Sequence, residues 1–516
     1  MSDPPARRAG EARAPARLAL AGFGGLLVGL AFPKPGWGPL VVCGFGVAFF
    51  LASSAHGPRR AARDGAVFGF VATVLTLRWF STPILLFSTL GPSIAWAAVV
   101  LSGLTLAALT AGLFAILDAW ARRWGPNRAL ALAPLLMTAY DLVREWFPFP
   151  FPWGAPAAAL ARWTWVQTVA GALGAAGVSL LLYALAAILA AAGLVPRRRA
   201  AQLLGVWLLA AGLVFAAGVF AVPDPSGRVR VAVLQASLPR DAEASLEWQT
   251  YRGLTAEAAR AGAEIVVWPE SAVSYQFHQD GKWAGLLADL AAREGVDLVV
   301  GGLTRSPSGK YENSSVLVRA DRGMVAKAPK RQLVPFGEYM PLRFLFGRIP
   351  ALANEVGEFE PGTNPVVFEG RSARMGALVC FEAVFPGLAK DLVDGGARLL
   401  VNQTNDSWFG TTGGPRQHFE HGLLRAAETG LPLARAANSG ISALVEGGGA
   451  VKGELGTGEK GILVADLALP ERPRPGVAVG RAVAWAALVL TAVALAGIVP
   501  RRSPPKPRAA AETRTS

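Results

Sequence analysis

The sequence predicts an α-helical membrane domain of about eight spans that carries one α/β domain on its outward side. Three observations predict it. Hydrophobic residues make up 52% of the 516 residues and charged ones only 17%, with a mean hydropathy of +0.38, which is too apolar for a soluble chain of this length. The apolar residues gather into eight long runs, seven of them before residue 222. Residues 223–476 then change texture, to short apolar runs alternating with polar amphipathic stretches.

The first seven runs lie near 17–33, 37–55, 65–83, 91–117, 129–147, 166–193 and 202–221, and the eighth near 477–498. Each approaches the length needed to cross a hydrocarbon layer of roughly 30 Å. A basic stretch precedes the first run, as in a signal peptide, but no small-residue cleavage pattern separates it from the second. Charge then sets the direction. Arginines crowd the N-terminus (Arg7, Arg8, Arg13, Arg17) and the loops HGPRRAARD, ARRWGPNR and PRRRAAQ, whereas FPKPGWG and STPILLFSTLGP are nearly bare of charge. Excess Lys and Arg mark the cytoplasmic side, so the N-terminus is expected inside, residues 223–476 outside, and the basic tail RRSPPKPR inside again. The expected division is a membrane domain over 1–222, an α/β domain over 223–476, and a final span with its tail over 477–516.

The net charge of +14 sits in these loop clusters, with no basic stripe interleaved with aromatics, so nucleic acid is not an expected partner. Cys43 lies inside an apolar run and Cys380 in the distant polar segment, which makes no disulfide framework. In that segment VRVAVLQ, EIVVWPE, VDLVVGGL, MGALVC and ARLLVNQ read as strands, bounded by Gly, Pro or Asp, and ASLEWQTYRGLTAEAARAG reads as a helix.

Three of the short strands end on reactive side chains. EIVVWPE delivers Glu270, GMVAKAPKRQLVPFGEY delivers Lys330 and then Glu338 after a Pro-Phe-Gly turn, and MGALVCFE delivers Cys380 and Glu382. Taken singly, Glu270 can be a helix cap, Lys330 solvated surface and Cys380 core filling. Together they supply what acyl transfer through a thioester requires. A thiol of ordinary pKa is only a few per cent thiolate at neutral pH. Glu270 can take its proton, and Lys330 can lower the thiol pKa and hold the oxyanion of a tetrahedral intermediate. Neither a metal nor another cofactor is required.

WPE, K-R-Q-L-V-P-F-G-E-Y and C-F-E resemble the Glu-Lys-Cys motifs of the nitrilase superfamily. The run from NQTNDSWFG to GPRQHFEHGLLRAAETGLPLARAANSGIS, and REWFPFPFPWG among the spans, resemble the bacterial apolipoprotein N-acyltransferase family. The resemblance implies an αββα sandwich outside the inner membrane. It also implies transfer of a phospholipid acyl chain to the N-terminal amine of the S-diacylglyceryl-cysteine of an apolipoprotein. By the same resemblance Cys380 is the nucleophile, Glu270 the base and Lys330 the oxyanion partner. Glu338 and Glu382 are supporting acids, and Trp408, Phe381 and Tyr339 are expected to touch substrate. Phe381 departs from the family's usual tyrosine, and LQASLP from its usual QGN pattern near Gln235.

Other patterns carry less. His418 and His421 in QHFEH have a metal-compatible spacing but no third ligand nearby, so they read as structural. EGGGAVKG lacks the GK[ST] ending of a phosphate loop and reads as a hairpin turn. YMPLRFLFGRIPALANEVGEF is expected to rest on the lipid surface as an arm. The rival enzyme reading is a membrane-tethered amidase or nitrilase that uses water as acceptor, and a third is a non-catalytic scaffold.

Overall fold

A computed structural model of the protein describes residues 14–54, 57–147, 149–239, 242–272, 281–346 and 357–497. The basic N-terminal arginines before residue 14, the tail RRSPPKPR, and residues 347–356 of the expected lipid-surface arm lie outside the described residues.

Every one of the eight apolar runs coincides with a helix: α1 (Ala14–Ala31), α2 (Leu40–Ser53), α3 (Pro58–Thr76), α5 (Gly91–Trp124), α6 (Pro126–Val143), α7 (Thr164–Ala192), α8 (Arg197–Phe220) and α13 (Gly476–Ala496). Among the described residues, five of them are long and apolar enough to cross a membrane. A sixth results if α3 and the following segment Arg78–Phe87, bent by 58°, form one broken span. By length and composition alone the count is therefore five or six, which does not confirm the expected eight, for local reasons. The 14 residues of α2 span only about 21 Å at 1.5 Å per residue. The third run turns at Leu77 through a 3-10 segment into α4 (Ser81–Phe87), and α6 opens on Pro126, Asn127 and Arg128. The helix α7 is itself broken at Gly174, where φ is 67°. A Cβ there would meet Gly480 Cα of α13 at 2.8 Å, so only glycine serves both the left-handed turn and the close crossing.

The α/β domain is two six-stranded sheets. One has the order β12-β1-β2-β3-β4-β5, and the other β11-β10-β9-β8-β7-β6. Its strands are β1 (Pro225–Gln235), β2 (Ile265–Val267), β3 (Asp297–Arg305), β4 (Tyr311–Arg319), β5 (Gly323–Pro329), β6 (Val367–Glu369), β7 (Arg374–Val379), β8 (Leu399–Thr404), β9 (Leu433–Ala437), β10 (Ser442–Val445), β11 (Val451–Leu455) and β12 (Gly461–Pro470). Each sheet has a parallel centre, β1-β2-β3 or β7-β8-β9, flanked by antiparallel strands. EGGGAVKG is the turn between β10 and β11, as its composition suggests.

Side chains alternate across each strand, so one face of each sheet meets the other sheet. Val231, Val233, Ile265, Val267 and Val299 pack against Met375, Ala377, Leu399, Val401 and Ala434 in this central layer. The outer face of the first sheet is covered by α9 (Ala244–Arg260) and α10 (Gly281–Glu294). The second sheet is covered by α11 (Pro386–Asp394) and α12 (Gly414–Thr429), whose apolar residues join one continuous cluster with the membrane helices. Every residue of α12 except Arg416 is buried, because this helix lies between sheet and membrane domain. The layers are therefore αββα, with one helical layer wedged against the apolar half.

Candidate active site

The candidate residues leave the same end of the sandwich, just past the strands. Trp268, after β2, is fixed from both sides. Its carbonyl accepts from Gln403 Nε2 at 2.6 Å, its indole donates to Thr255 Oγ1 at 3.0 Å, and its ring stacks on Tyr251. Two residues on, Glu270 accepts at Oε1 from Asn313 Nδ2 and at Oε2 from the backbone N–H of Asn405, both at 2.7 Å. Gly301 of β3 permits this approach, since a Cβ would meet Glu270 Cα at 2.6 Å.

Lys330 follows β5 and is buried, with Nζ 2.8 Å from Glu338 Oε1 and 3.6 Å from Glu270 Oε1. Burial works against its charge, but Glu338, Glu270 and Cys380 outweigh it and push the ammonium above its ordinary range. Asn313 bridges the two glutamates by donating to both, and Glu338 Oε2 accepts from the backbone of Val334 at 2.8 Å.

Cys380 starts the 3-10 turn after β7 at φ 53°, a left-handed conformation that L residues rarely hold. Ser271 beside Glu270 (φ 51°) and Phe336 in the turn before Glu338 (φ 62°) share it. Such residues cost about 1–3 kcal/mol each and gather where a fold constrains a site. Burial pushes the Cys380 thiol up and the Glu270 charge adds to this, together outweighing Lys330. The expectation that lysine lowers the thiol pKa therefore holds for its sign but not for the net result. Burial and Glu270 thus favour the protonated thiol, and Lys330 opposes them.

Glu382 serves the backbone. Its Oε1 accepts from the N–H groups of Arg331 (2.7 Å) and Gln332 (3.1 Å), and its Oε2 from that of Val379 (2.7 Å). It ties the segment after Lys330 to the cysteine turn. Gln235 is also internal, donating to the carbonyls of Gly440, Gly456 and Glu459 and accepting from Ser442.

The aromatic residues connect the site to the membrane helices. Phe381 stacks on Phe151 (centroids 5.9 Å apart) and Trp153 (6.5 Å), both from FPFPFPWG. The indoles of Trp79 and Trp153 donate to the same Gln417 Oε1, at 3.2 and 2.7 Å. Arg144 holds that loop by donating to the carbonyls of Phe151 and Trp153. Trp408, 39% exposed, stacks on Phe87 of α4 at 4.2 Å, so it faces the membrane half beside the site. Tyr339 is half-buried, and its carbonyl closes the turn by accepting from the N–H of Phe336.

Sequence reading missed Asn313, Gln417 and the role of His418, whose ring nitrogens face Asp406 and the Cys380 carbonyl. A polar Asn amid β4 and the adjacent Gln417 and His418 in α12 are the local signals. No group of three His, Cys, Asp or Glu among the described residues is arranged to hold a metal.

Two family models match the chain: one described as apolipoprotein N-acyltransferase N-terminal domain over residues 24–188, and one described as carbon-nitrogen hydrolase over residues 230–472. The apolipoprotein N-acyltransferase of Geobacter metallireducens is 30% identical over 503 residues, covering 94% of this chain and 95% of its own. That of Allorhizobium ampelinum is 30% identical over 526 residues, covering 94% and 97%. The crystal structure of an amidase from Nesterenkonia sp. shares 22% identity over 49% of this chain and 94% of its own, with a TM-score of 0.36.

Proposed function

The chain belongs to the apolipoprotein N-acyltransferase family, and from that premise we propose that it moves an acyl chain from a membrane phospholipid to the N-terminal amine of an apolipoprotein's S-diacylglyceryl-cysteine, through a thioester on Cys380. Glu270 takes the thiol proton, and the sulfur attacks the ester carbonyl of the phospholipid. Lys330 stabilises the oxyanion of the tetrahedral intermediate. Its collapse breaks the ester C–O bond, and Glu270 passes its proton to the departing oxygen, so the lysophospholipid leaves as an alcohol and the glutamate is again a carboxylate. The lipoprotein amine then gives a proton to Glu270 and attacks the thioester. The C–S bond breaks, an amide forms, and the thiol regains its proton. Glu338 positions Lys330, and Glu382 positions the cysteine turn.

The observation that carries acyl transfer is the aromatic seam from Phe381 to Phe151 and Trp153, which joins the cysteine turn to the membrane half. Lifting an acyl chain into water costs about 0.8 kcal/mol per CH2, so a site serving lipid gains from an apolar path. The arginine pattern supports placing the sandwich on the outer face of the bacterial inner membrane, with both termini in the cytoplasm and the divisions near 222 and 476.

The test uses purified protein and phospholipid radiolabelled in its acyl chain. A hydroxylamine-labile adduct is expected, absent in Cys380→Ala and chased onto an added diacylated peptide with a free N-terminal amine. Release of free fatty acid with no acylated peptide would mean hydrolysis and refute the proposal.

A further inference from the structure

Four buried polar side chains behind Cys380 take no part in the proton transfers above. Arg435 of β9 donates to Asp406 Oδ2 at 2.8 Å and also to Asn402 Oδ1. Asp406, in the turn after β8, accepts from Thr404 Oγ1 at 2.9 Å and lies 2.9 Å from His418 Nδ1. His418 Nε2 is 3.0 Å from the carbonyl oxygen of Cys380, which Asn402 Nδ2 also approaches at 3.4 Å. Arg435, Asp406, His418 and Asn402 are each at most 1% exposed.

We propose that His418 is a positioning residue that donates its Nε2 proton to the Cys380 carbonyl, holds the cysteine backbone in its left-handed conformation, and so aims the sulfur. This rests on Cys380 being the nucleophile. A backbone carbonyl only accepts, so Nε2 must carry a proton whatever the state of Nδ1. Nδ1 has two ways to be satisfied: it donates to Asp406, or it accepts from an Arg435 nitrogen at 3.2 Å. Burial and the Arg435 charge pull the His418 pKa below its usual range against the opposing Asp406 carboxylate. For Asp406 itself, burial opposes ionisation, but Arg435 and His418 outweigh it and hold the carboxyl at about 2. His421, one turn along α12, is also pulled down, by burial and then Arg425. None of these groups removes the need for the Nε2 proton.

The energetic logic is local. Cys380 at φ 53° stores strain that something must offset, and a hydrogen bond from a side chain fixed at its other end is suited to that. The ring is fixed by Asp406, and Asp406 by Arg435 from the neighbouring strand, so the carbonyl direction is set by three secondary-structure elements. Displacing a reacting atom by about 1 Å costs on the order of 10²-fold in rate.

The experiment measures single-turnover acylation from radiolabelled phospholipid in detergent, for the full chain, His418→Phe, His418→Gln and Cys380→Ala. Removing both ring nitrogens in His418→Phe is expected to slow acylation about 10²-fold without changing the donor concentration for half-maximal rate, and His418→Gln, whose amide nitrogen can replace Nε2, recovers to within about tenfold of the parent. A folded His418→Phe within about twofold of the parent, or a glutamine variant no better than phenylalanine, overturns the proposal. An adduct persisting in Cys380→Ala would instead refute the nucleophile assignment. Should His418→Phe fail to fold, the unmutated protein still decides. With only four histidines in the chain, 15N-histidine NMR is expected to show a slowly exchanging Nε2–H resonance that His418→Gln removes. A bare Nε2 at that residue overturns the inference.

Discussion

Lys330 donates to Glu338 at 2.8 Å, whereas Glu270 stands 3.6 Å from the same ammonium. Glu338 therefore holds the lysine by a direct hydrogen bond that Glu270 does not make. Glu338→Gln keeps an acceptor oxygen but removes the charge. It should slow Cys380 acylation about 10²-fold while leaving the donor concentration for half-maximal rate within about twofold, because the loss falls on oriented charge rather than lipid binding. Single-turnover kinetics across donor concentrations check this, and an effect confined to donor affinity would refute it.

The raised thiol pKa has a sign that can be tested. Burial and the Glu270 carboxylate both disfavour the thiolate, and Lys330 favours it. Glu270→Gln should move the pH midpoint for alkylation of Cys380 by iodoacetamide downwards, while abolishing acyl transfer for want of a base. Lys330→Met should move the midpoint upwards. Equal midpoints in all three proteins would show that neither charge reaches the sulfur.

Glu382 holds three backbone N–H groups, that of Val379 in a buried hydrogen bond and those of Arg331 and Gln332 in part-buried ones. Leaving a buried donor unsatisfied costs about 1–3 kcal/mol, so Glu382→Ala should lower the apparent melting temperature and slow iodoacetamide alkylation and acylation together. Glu382→Gln, which keeps one acceptor oxygen, should fall between. A variant that melts like the parent yet fails only in acyl transfer would point to a proton-transfer role.

The membrane runs were legible because crossing lipid demands a long apolar stretch, and each run is a helix. Where they break was not. Leu77 lies between Thr76 and Arg78 with no proline or glycine to mark a break, and the bend there accompanies the packing of Trp79 against Trp153 and Phe409. In the sandwich, punctuated strand ends marked Glu270, Lys330 and Cys380. What those residues do to one another depends on burial and on partners far along the chain. Asn313, Gln417 and His418 act through such contacts, at separations of 43, 264 and 38 residues, which no local pattern records. The supporting acids illustrate the same limit. Glu338 and Glu382 look alike as motif residues, yet one binds an ammonium and the other three amides.

Glu420, buried on α12 and placed in none of the catalytic steps above, gives a stability prediction. Burial raises its carboxyl to about 8, against the lowering influence of Arg416 and Arg162, and its Oε2 has no hydrogen-bond partner. A folded pKa above the unfolded value of 4.5 means that the folded chain binds the proton more tightly. The associated stability is complete below that unfolded value and is lost as pH rises through 8. Across that window each pH unit removes up to roughly 1.4 kcal/mol. Glu420→Gln cannot ionise and should escape the loss. The variant and parent should therefore melt close together at pH 5, with the variant melting higher by several degrees at pH 8.5. Apparent melting temperatures in detergent at several pH values check this. A gap that stays constant across the range would show that Glu420 does not titrate between folded and unfolded states, so that Arg416 and Arg162 keep it ionised despite its burial.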